Sequence, residues 1–144
     1  MATKLADPQT DRTGVTGAMD VTGRTFQVTK GASFEAAHFM GQKPDGHPYK
    51  HVHGHSFRVE ATVAGIVKPG KEWVEDFADV KRAIEEVAGE LDHRLLNEID
   101  GLEVPTLERI CIWVAERLSK RVSGLIAVEV SRPSLDERCL LQLG

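Results

Sequence analysis

Residues 51–63 read HVHGHSFRVEATV, and this stretch decides the fold of the chain. From Phe57 to Val63 every second residue is apolar, and charged or polar residues stand between them. Alternation with a period of two is typical of a strand that buries one face and exposes the other. We therefore predict a strand over residues 51–67, which directs the side chains of His51, His53 and His55 to one face.

Outward from this strand, the pattern predicts five further elements. A preceding strand ends at His38, and the Gly- and Pro-containing segment 39–50 has loop chemistry, so the two strands form a hairpin. Apolar residues at helical spacing predict one helix capped by Asp76 and a second that begins just after Pro105. The predicted order is β-β-α-α-β-β, with strands over 25–38, 51–67, 125–130 and 139–143 and the first helix over 77–90. This is an α+β fold.

Length and composition limit the class of protein. The chain has 144 residues, 18 basic and 22 acidic side chains and a formal net charge of -4. We predict one domain over residues 25–144 and a flexible N-terminal tail over residues 1–24. The scattered basic residues argue against nucleic acid as a partner. Because no apolar run is long enough for a membrane span or a secretory signal, we expect no membrane association and a cytoplasmic protein.

The two cysteines do not form a disulfide framework or a thiolate metal site, because they are few and far apart. Cys111 lies on the apolar stripe of the second predicted helix, where core packing is its expected role. Cys139 lies in the last predicted strand.

The histidines are the unusual part of the composition, since five of the six lie between residues 38 and 55. His53 and His55 share a strand face, and His38 closes the set from the end of the facing strand. Three neutral imidazoles with a free fourth position are typical of a catalytic zinc site; the alternative is a hydrogen-bonded or exposed histidine patch. His51 is a candidate fourth ligand, hydrogen-bond partner of a ligand or proton carrier, or a surface histidine, and His47 is expected to be a loop residue.

A second candidate site follows the first helix, where Asp92 precedes His93, the only histidine outside the cluster. A carboxylate can fix the tautomer of a neighbouring imidazole and raise its basicity, which suits a general acid or base at neutral pH. The alternative is an ordinary charge pair at a helix end.

These motifs, in their order and spacing, resemble the 6-pyruvoyltetrahydropterin synthase / 6-carboxytetrahydropterin synthase (QueD) family over residues 25–143. The stretches that carry the resemblance are FEAAH at 34–38, HGHSF at 53–57, Asp76-Phe77, LDHRLLN at 91–97, and Pro105-Thr106 with Glu108.

The resemblance implies a tunnelling fold (T-fold), an antiparallel four-stranded sheet with two helices on one face. It implies a homo-oligomer, in which three subunits pair their sheets into a barrel and two trimers form a hexamer. It further implies zinc on the three clustered histidines, Asp92 and His93 as a proton relay, usually across a subunit interface, and Thr106 and Glu108 in substrate binding. Family members take dihydroneopterin triphosphate and remodel or remove its side chain.

The chain departs from the family at two positions. Tyr49 stands where family members usually carry a catalytic cysteine, and an unperturbed tyrosine, with a pKa near 10, is the poorer base at pH 7. Either Tyr49 with a lowered pKa or His51 is then the candidate base. Arg132 replaces a glutamate that accepts hydrogen bonds from the pterin, and an arginine there suits a carboxylate, phosphate or carbonyl. Asp136 or Glu137 can supply a carboxylate only if the segment after Arg132 folds back.

Three functions are therefore open. The first is a zinc-dependent lyase acting on the side chain of dihydroneopterin triphosphate or a related pteridine, by carbon-oxygen or carbon-carbon bond cleavage. The second is a zinc enzyme of the same fold with a different substrate, because Tyr49 and Arg132 replace the base and the anchor. The third is a catalytically silent binding protein that zinc stabilises.

Overall fold

The computed structural model describes residues 19–144, which form one five-stranded sheet and two α-helices. The elements are β1 (Thr25–His38), β2 (His53–Ile66), α1 (Phe77–Gly89), β3 (Arg94–Leu95), α2 (Leu107–Leu118), β4 (Leu125–Arg132) and β5 (Glu137–Gln142). Short 3-10 turns occur at Pro48–Lys50, Leu96–Glu98 and Pro133–Leu135. The predicted tail lies outside the described residues up to position 18, and of its remainder Gly23 and Arg24 form backbone hydrogen bonds with Val67.

The long β1–β2 hairpin sets the register of the whole sheet. The two strands pair over their full length, from Thr25 opposite Ile66 to His38 opposite His53. Because β1 ends at His38, its partner strand begins at His53 and excludes His51, two residues later than we predicted. The register therefore places His38 and His53 directly across from each other, with His55 two residues further along the same face.

The prediction of four antiparallel strands is wrong in one respect, because the sheet has a fifth strand and is mixed. The strand order is β3-β1-β2-β4-β5, and β3 pairs in parallel with β1. The cause is local. His93 has a positive φ of 58° and its backbone N–H donates to the carbonyl of Glu35, which places the next two residues beside β1. A two-residue strand is too short for alternation to reveal it.

Both helices pack on the face of the sheet that carries the apolar residues of β1, β2 and β4. Asp76 and Thr106 cap α1 and α2 by accepting hydrogen bonds from Ala78 and Arg109, which confirms the predicted starts of both helices. The buried core consists mainly of Phe34, Phe57, Val59, Val63, Val80, Ile84, Val87, Ile110, Val114, Leu118, Val128 and Val130. Neither helix in this part of the chain has the length and apolar character needed to cross a lipid bilayer.

The β4–β5 connection is a tight reversal. The Pro133–Leu135 turn is followed by Asp136 in the left-handed region, at a φ of 54°, which aspartate tolerates better than most residues. As a result β5 begins at Glu137, two residues before the predicted strand, and Glu137 lies opposite Arg132. The segment after Arg132 does fold back on the sheet.

Candidate metal centre

Three histidine side chains converge where β1 ends and β2 begins. His38, His53 and His55 each offer a ring nitrogen, and these atoms all lie within 4.8 Å of one another. The ring centroids are 4.6 Å apart for His38 and His53, and 4.9 Å apart for His53 and His55. The sequence prediction grouped the same three residues, and the structure brings them together.

The donor atoms suit a metal ion. The Nε2 atoms of all three rings are buried and lack a hydrogen-bond partner within residues 19–144. Buried polar atoms without partners are rare in folded proteins, and three that converge on one point indicate a missing ligand. Imidazole nitrogens are preferred ligands of zinc and of similar divalent ions. The residues present therefore fit a metal.

Backbone carbonyl groups orient two of the three rings. The Nδ1 atom of His53 lies 2.7 Å from the carbonyl oxygen of His51, and that of His38 lies 3.3 Å from the carbonyl of Pro105. A ring that donates through Nδ1 presents its Nε2 lone pair, so we assign the Nδ1–H tautomer to both rings. Pro105 was not predicted as a site residue, because a backbone carbonyl leaves no signal in a sequence pattern.

The surroundings keep the ligands neutral. Burial lowers the pKa of His38 from 6.5 to about 4, although its contact with the Pro105 carbonyl opposes this shift. Burial also lowers the pKa of His55, as does the nearby charge of Arg132, whereas Glu137 raises it. Only a neutral imidazole can bind a metal, so the lowered pKa values favour the binding form near neutral pH.

We expect the metal-free protein to lose stability as the pH falls. Because His38 has a pKa near 4 in the folded chain and near 6.5 in the unfolded chain, the unfolded state binds more protons between these values. The free energy of unfolding should drop by about 2 kcal/mol between pH 7 and pH 5, as measured by urea unfolding after chelation. The control His38→Asn should show a flatter dependence; an equal dependence in both proteins would contradict the assignment to His38.

The loop before β2 places the remaining histidines and Tyr49. The ring of Tyr49 stacks on His53, with centroids 5.0 Å apart and an interplanar angle of 23°. His47 caps the Pro48–Lys50 turn, since its Nδ1 accepts from the backbone N–H of Tyr49. His51 is exposed and is not among the clustered ring nitrogens, so its contact with the centre is through its carbonyl. Its predicted role as a proton carrier stays a prediction.

Asp92 and His93 form a connected pair at the edge of β1. One carboxylate oxygen of Asp92 accepts the backbone N–H of Glu35, and the other lies 2.8 Å from Nδ1 of His93. The hydrogen bond from Glu35, and to a smaller extent the one with His93, lowers the pKa of Asp92. The imidazole of His93 is 79% exposed, so it is free to meet a ligand or a neighbouring subunit.

A cleft of about 630 Å³ lies at this edge of the sheet, between His93 and His55. It is lined by residues that include His55, His93 and Ser134, and its size suits a small bicyclic ligand. Asn97 supports the same region through a double hydrogen bond with the backbone of Phe39, directly after His38. Asn97 belongs to the 91–97 motif but was not predicted as a site residue.

The predicted substrate residues divide into two groups. Arg132 lies beside the centre and forms an ion pair with Glu137, with Nη2 and Oε2 2.7 Å apart. Thr106 accepts from Arg109 as the helix cap, and Glu108 is exposed in the first turn of α2. The predicted substrate contacts of Thr106 and Glu108 stay predictions. Cys111 is buried in the core as expected, and burial raises the pKa of its thiol to about 12.

The fold and the site together define a class of small α+β protein with three histidines, suited to hold a metal, at the end of a long hairpin. Residues 27–140 match the model of the 6-pyruvoyl tetrahydropterin synthase family. This chain therefore belongs to that family, as its motifs led us to expect.

Two curated relatives and one solved structure illustrate the range of the family. The chain is 40% identical to dihydroneopterin monophosphate aldolase of Pyrococcus furiosus over 106 residues, 74% of this chain and 84% of that protein. It is 38% identical to 6-carboxy-5,6,7,8-tetrahydropterin synthase of Synechocystis, over 72% of this chain and 83% of that protein. The 6-pyruvoyl tetrahydropterin synthase of Caenorhabditis elegans shares the fold, with a TM-score of 0.75 at 22% identity, over 85% of this chain and 99% of that one.

Proposed function

We propose that this protein is a zinc-dependent lyase that cleaves the side chain of a phosphorylated dihydroneopterin. The observation that carries the proposal is the convergence of three buried Nε2 atoms without partners, in a chain of the 6-pyruvoyl tetrahydropterin synthase family. His38, His53 and His55 would hold the ion. Zinc bound there would act as a Lewis acid towards the side-chain oxygens of the substrate.

The protein residues around the centre would move the protons. His93 is the proposed proton carrier, because its imidazole is exposed to the cleft and Asp92 fixes its orientation from the Nδ1 side. Tyr49 and His51 are the other candidates for proton transfer. Of the two, Tyr49 contacts the centre through its ring, while the imidazole of His51 stands outside the ligand cluster.

We favour carbon-carbon cleavage, the reaction of an aldolase, because the aldolase of Pyrococcus furiosus is 40% identical to this chain over 106 residues. In dihydroneopterin monophosphate such a cleavage breaks the bond between the first and second side-chain carbons. The hydroxyl proton of the second carbon leaves as its carbonyl forms, and the first carbon gains a proton. The products are a hydroxymethyl dihydropterin and glycolaldehyde phosphate, so the step needs neither water nor an oxidant.

Turnover assays on the zinc-loaded protein test this proposal. Dihydroneopterin monophosphate and triphosphate are supplied separately, and products are followed by absorbance and mass spectrometry. Formation of glycolaldehyde phosphate supports the aldolase, and a pyruvoyl or carboxy product from the triphosphate supports a synthase. Turnover only of another pteridine would support a changed substrate, as the presence of Tyr49 and Arg132 suggests. Lack of turnover with every pteridine, together with a melting temperature that chelation lowers, would support a silent zinc-stabilised binder.

We also propose that the protein is a homo-oligomer, a trimer or a hexamer. On its outer side β1 pairs only at Ala36 and Ala37, and β5 has no outer neighbour within the described sheet. Long unpaired strand edges are ready to pair with another chain. Light scattering coupled to size-exclusion chromatography should give three or six times the 15.8 kDa of one chain. A mass of one chain at micromolar concentration would contradict this prediction.

A further inference from the structure

Arg132 and Glu137 form a pair that the turn between β4 and β5 brings together. They face each other in the register of the two strands, and their ion pair is 2.7 Å long. Alternation along β4 places Arg132 on the same face as the buried Val128 and Val130. This is the face from which the three histidines of the metal centre project.

Both charges lie close to the metal centre. The positive charge of Arg132 lowers the pKa of His55 and of His38, and the negative charge of Glu137 raises the pKa of His55. Ser134, in the turn that joins the pair, lines the cleft that His55 and His93 share. A ligand that contacts both His55 and Ser134 in this cleft would therefore lie near the pair.

Arg132 and Glu137 both have hydrogen-bonding atoms without a partner among residues 19–144. The Nε atom of Arg132 is buried, with no acceptor among residues 19–144, while its side chain is 15% exposed. The carboxylate of Glu137 is 44% exposed, and only its Oε2 has a bonded partner in that part of the chain. A buried donor without an acceptor is costly, so the geometry calls for a ligand acceptor at this position.

The charge of the pair decides what kind of ligand fits. The two charges compensate each other, so Glu137 would repel a phosphate or carboxylate that approached Arg132, and Arg132 would repel a cation. A neutral ligand edge that presents an acceptor beside a donor satisfies both partners. A cyclic amide, with a carbonyl oxygen next to an N–H, is such an edge.

We propose that Arg132 and Glu137 together recognise the cyclic amide edge of the ligand ring, and that they determine specificity for the ring. Arg132 donates to the carbonyl oxygen and Glu137 accepts from the adjacent ring N–H. The inference rests on the proposed function, in which the ligand is a pterin with an oxo group at position 4 and a hydrogen on N3. In this proposal the carboxylate that binds the ring N–H belongs to Glu137 on β5, and not to the residue at position 132 on β4.

Binding titrations on the zinc-loaded protein test the pair. The probes are neopterin and its matched analogue with an amino group in place of the 4-oxo group, which has no N3 hydrogen. The wild type should bind neopterin about 10- to 100-fold more tightly than the analogue. Glu137→Ala and Arg132→Met should each weaken neopterin binding about tenfold or more and remove the preference. Glu129→Gln and Arg138→Gln, on the opposite sheet face, are matched controls and should bind within about twofold of the wild type.

A charge-swapped protein separates recognition from folding. Arg132→Glu combined with Glu137→Arg keeps the ion pair but reverses the order of donor and acceptor. Its melting temperature and zinc content should match the wild type, and its preference for neopterin should be absent. Restoration of wild-type affinity by the swap, or an equal affinity of the wild type for both probes, would overturn the inference.

Turnover assays distinguish a failure of this inference from a failure of the proposed function. A wild type that turns over a dihydroneopterin phosphate, with Glu137→Ala and Arg132→Met variants that bind neopterin normally, would overturn the inference alone. A wild type that neither binds neopterin nor turns over any dihydroneopterin phosphate would overturn the proposed function and the inference with it.

Discussion

Replacing His55 with glutamine is expected to remove zinc from the protein and to lower turnover by on the order of 1,000-fold. The reason is that two imidazoles remain of a three-nitrogen set in which every Nε2 is buried and without a partner. His55 is preferred to His38 for this test, because His38 is buried at 2% exposure and its loss would also affect folding.

Zinc content by atomic emission and the rate constant kcat, both per chain, are the measurements for this prediction. His47→Asn is the matched control, since His47 caps the Pro48–Lys50 turn and lies outside the ligand set. It should retain one zinc ion per chain. A His55→Gln protein that still holds one zinc ion per chain at wild-type affinity would contradict the ligand assignment.

Replacing His93 with glutamine should lower kcat by about 100- to 10,000-fold while zinc content stays unchanged. The imidazole is exposed and its hydrogen bond with Asp92 lies at the surface, so its removal should have little effect on folding. Added imidazole should restore part of the rate, because it can enter the space that the His93 ring leaves.

Two comparisons sharpen this second prediction. Asp92→Asn should also lower the melting temperature, because Asp92 accepts the backbone N–H of Glu35 in addition to orienting His93. His51→Gln tests the alternative proton carrier. A large loss of kcat in His51→Gln with a near-normal rate in His93→Gln would reverse our assignment of the proton carrier.

The clustering of His38, His53 and His55 was predictable from the sequence because period-two alternation fixes which side chains share a strand face. The spacing of His53 and His55, and the end of the facing strand at His38, were enough to group the three ligands. Helix starts were predictable for a similar reason, since Asp76 and Thr106 precede apolar residues at helical spacing. These signals depend on neighbours in sequence.

The parts that could not be predicted depend on backbone geometry. The strand β3 exists because His93 adopts a positive φ and bonds to Glu35, which no periodicity reports. Glu137 reaches Arg132 only because Asp136 adopts a left-handed conformation after the Pro133–Leu135 turn. The contact of His38 with the carbonyl of Pro105 and the two hydrogen bonds between Asn97 and the backbone of Phe39 likewise involve the main chain, and they cannot be found from side-chain patterns alone.

The carbonyl groups that orient His38 and His53 have a consequence for how this protein can change over evolutionary time. Those acceptors belong to the main chain at Pro105 and His51, so a substitution of either side chain leaves the acceptor itself in place. The orientation of both rings is thus preserved when the side chain at position 51 or 105 is substituted. Tyr49 and Arg132, in contrast, act through their side chains, so substitutions there change the surface next to the histidines while these two main-chain contacts remain.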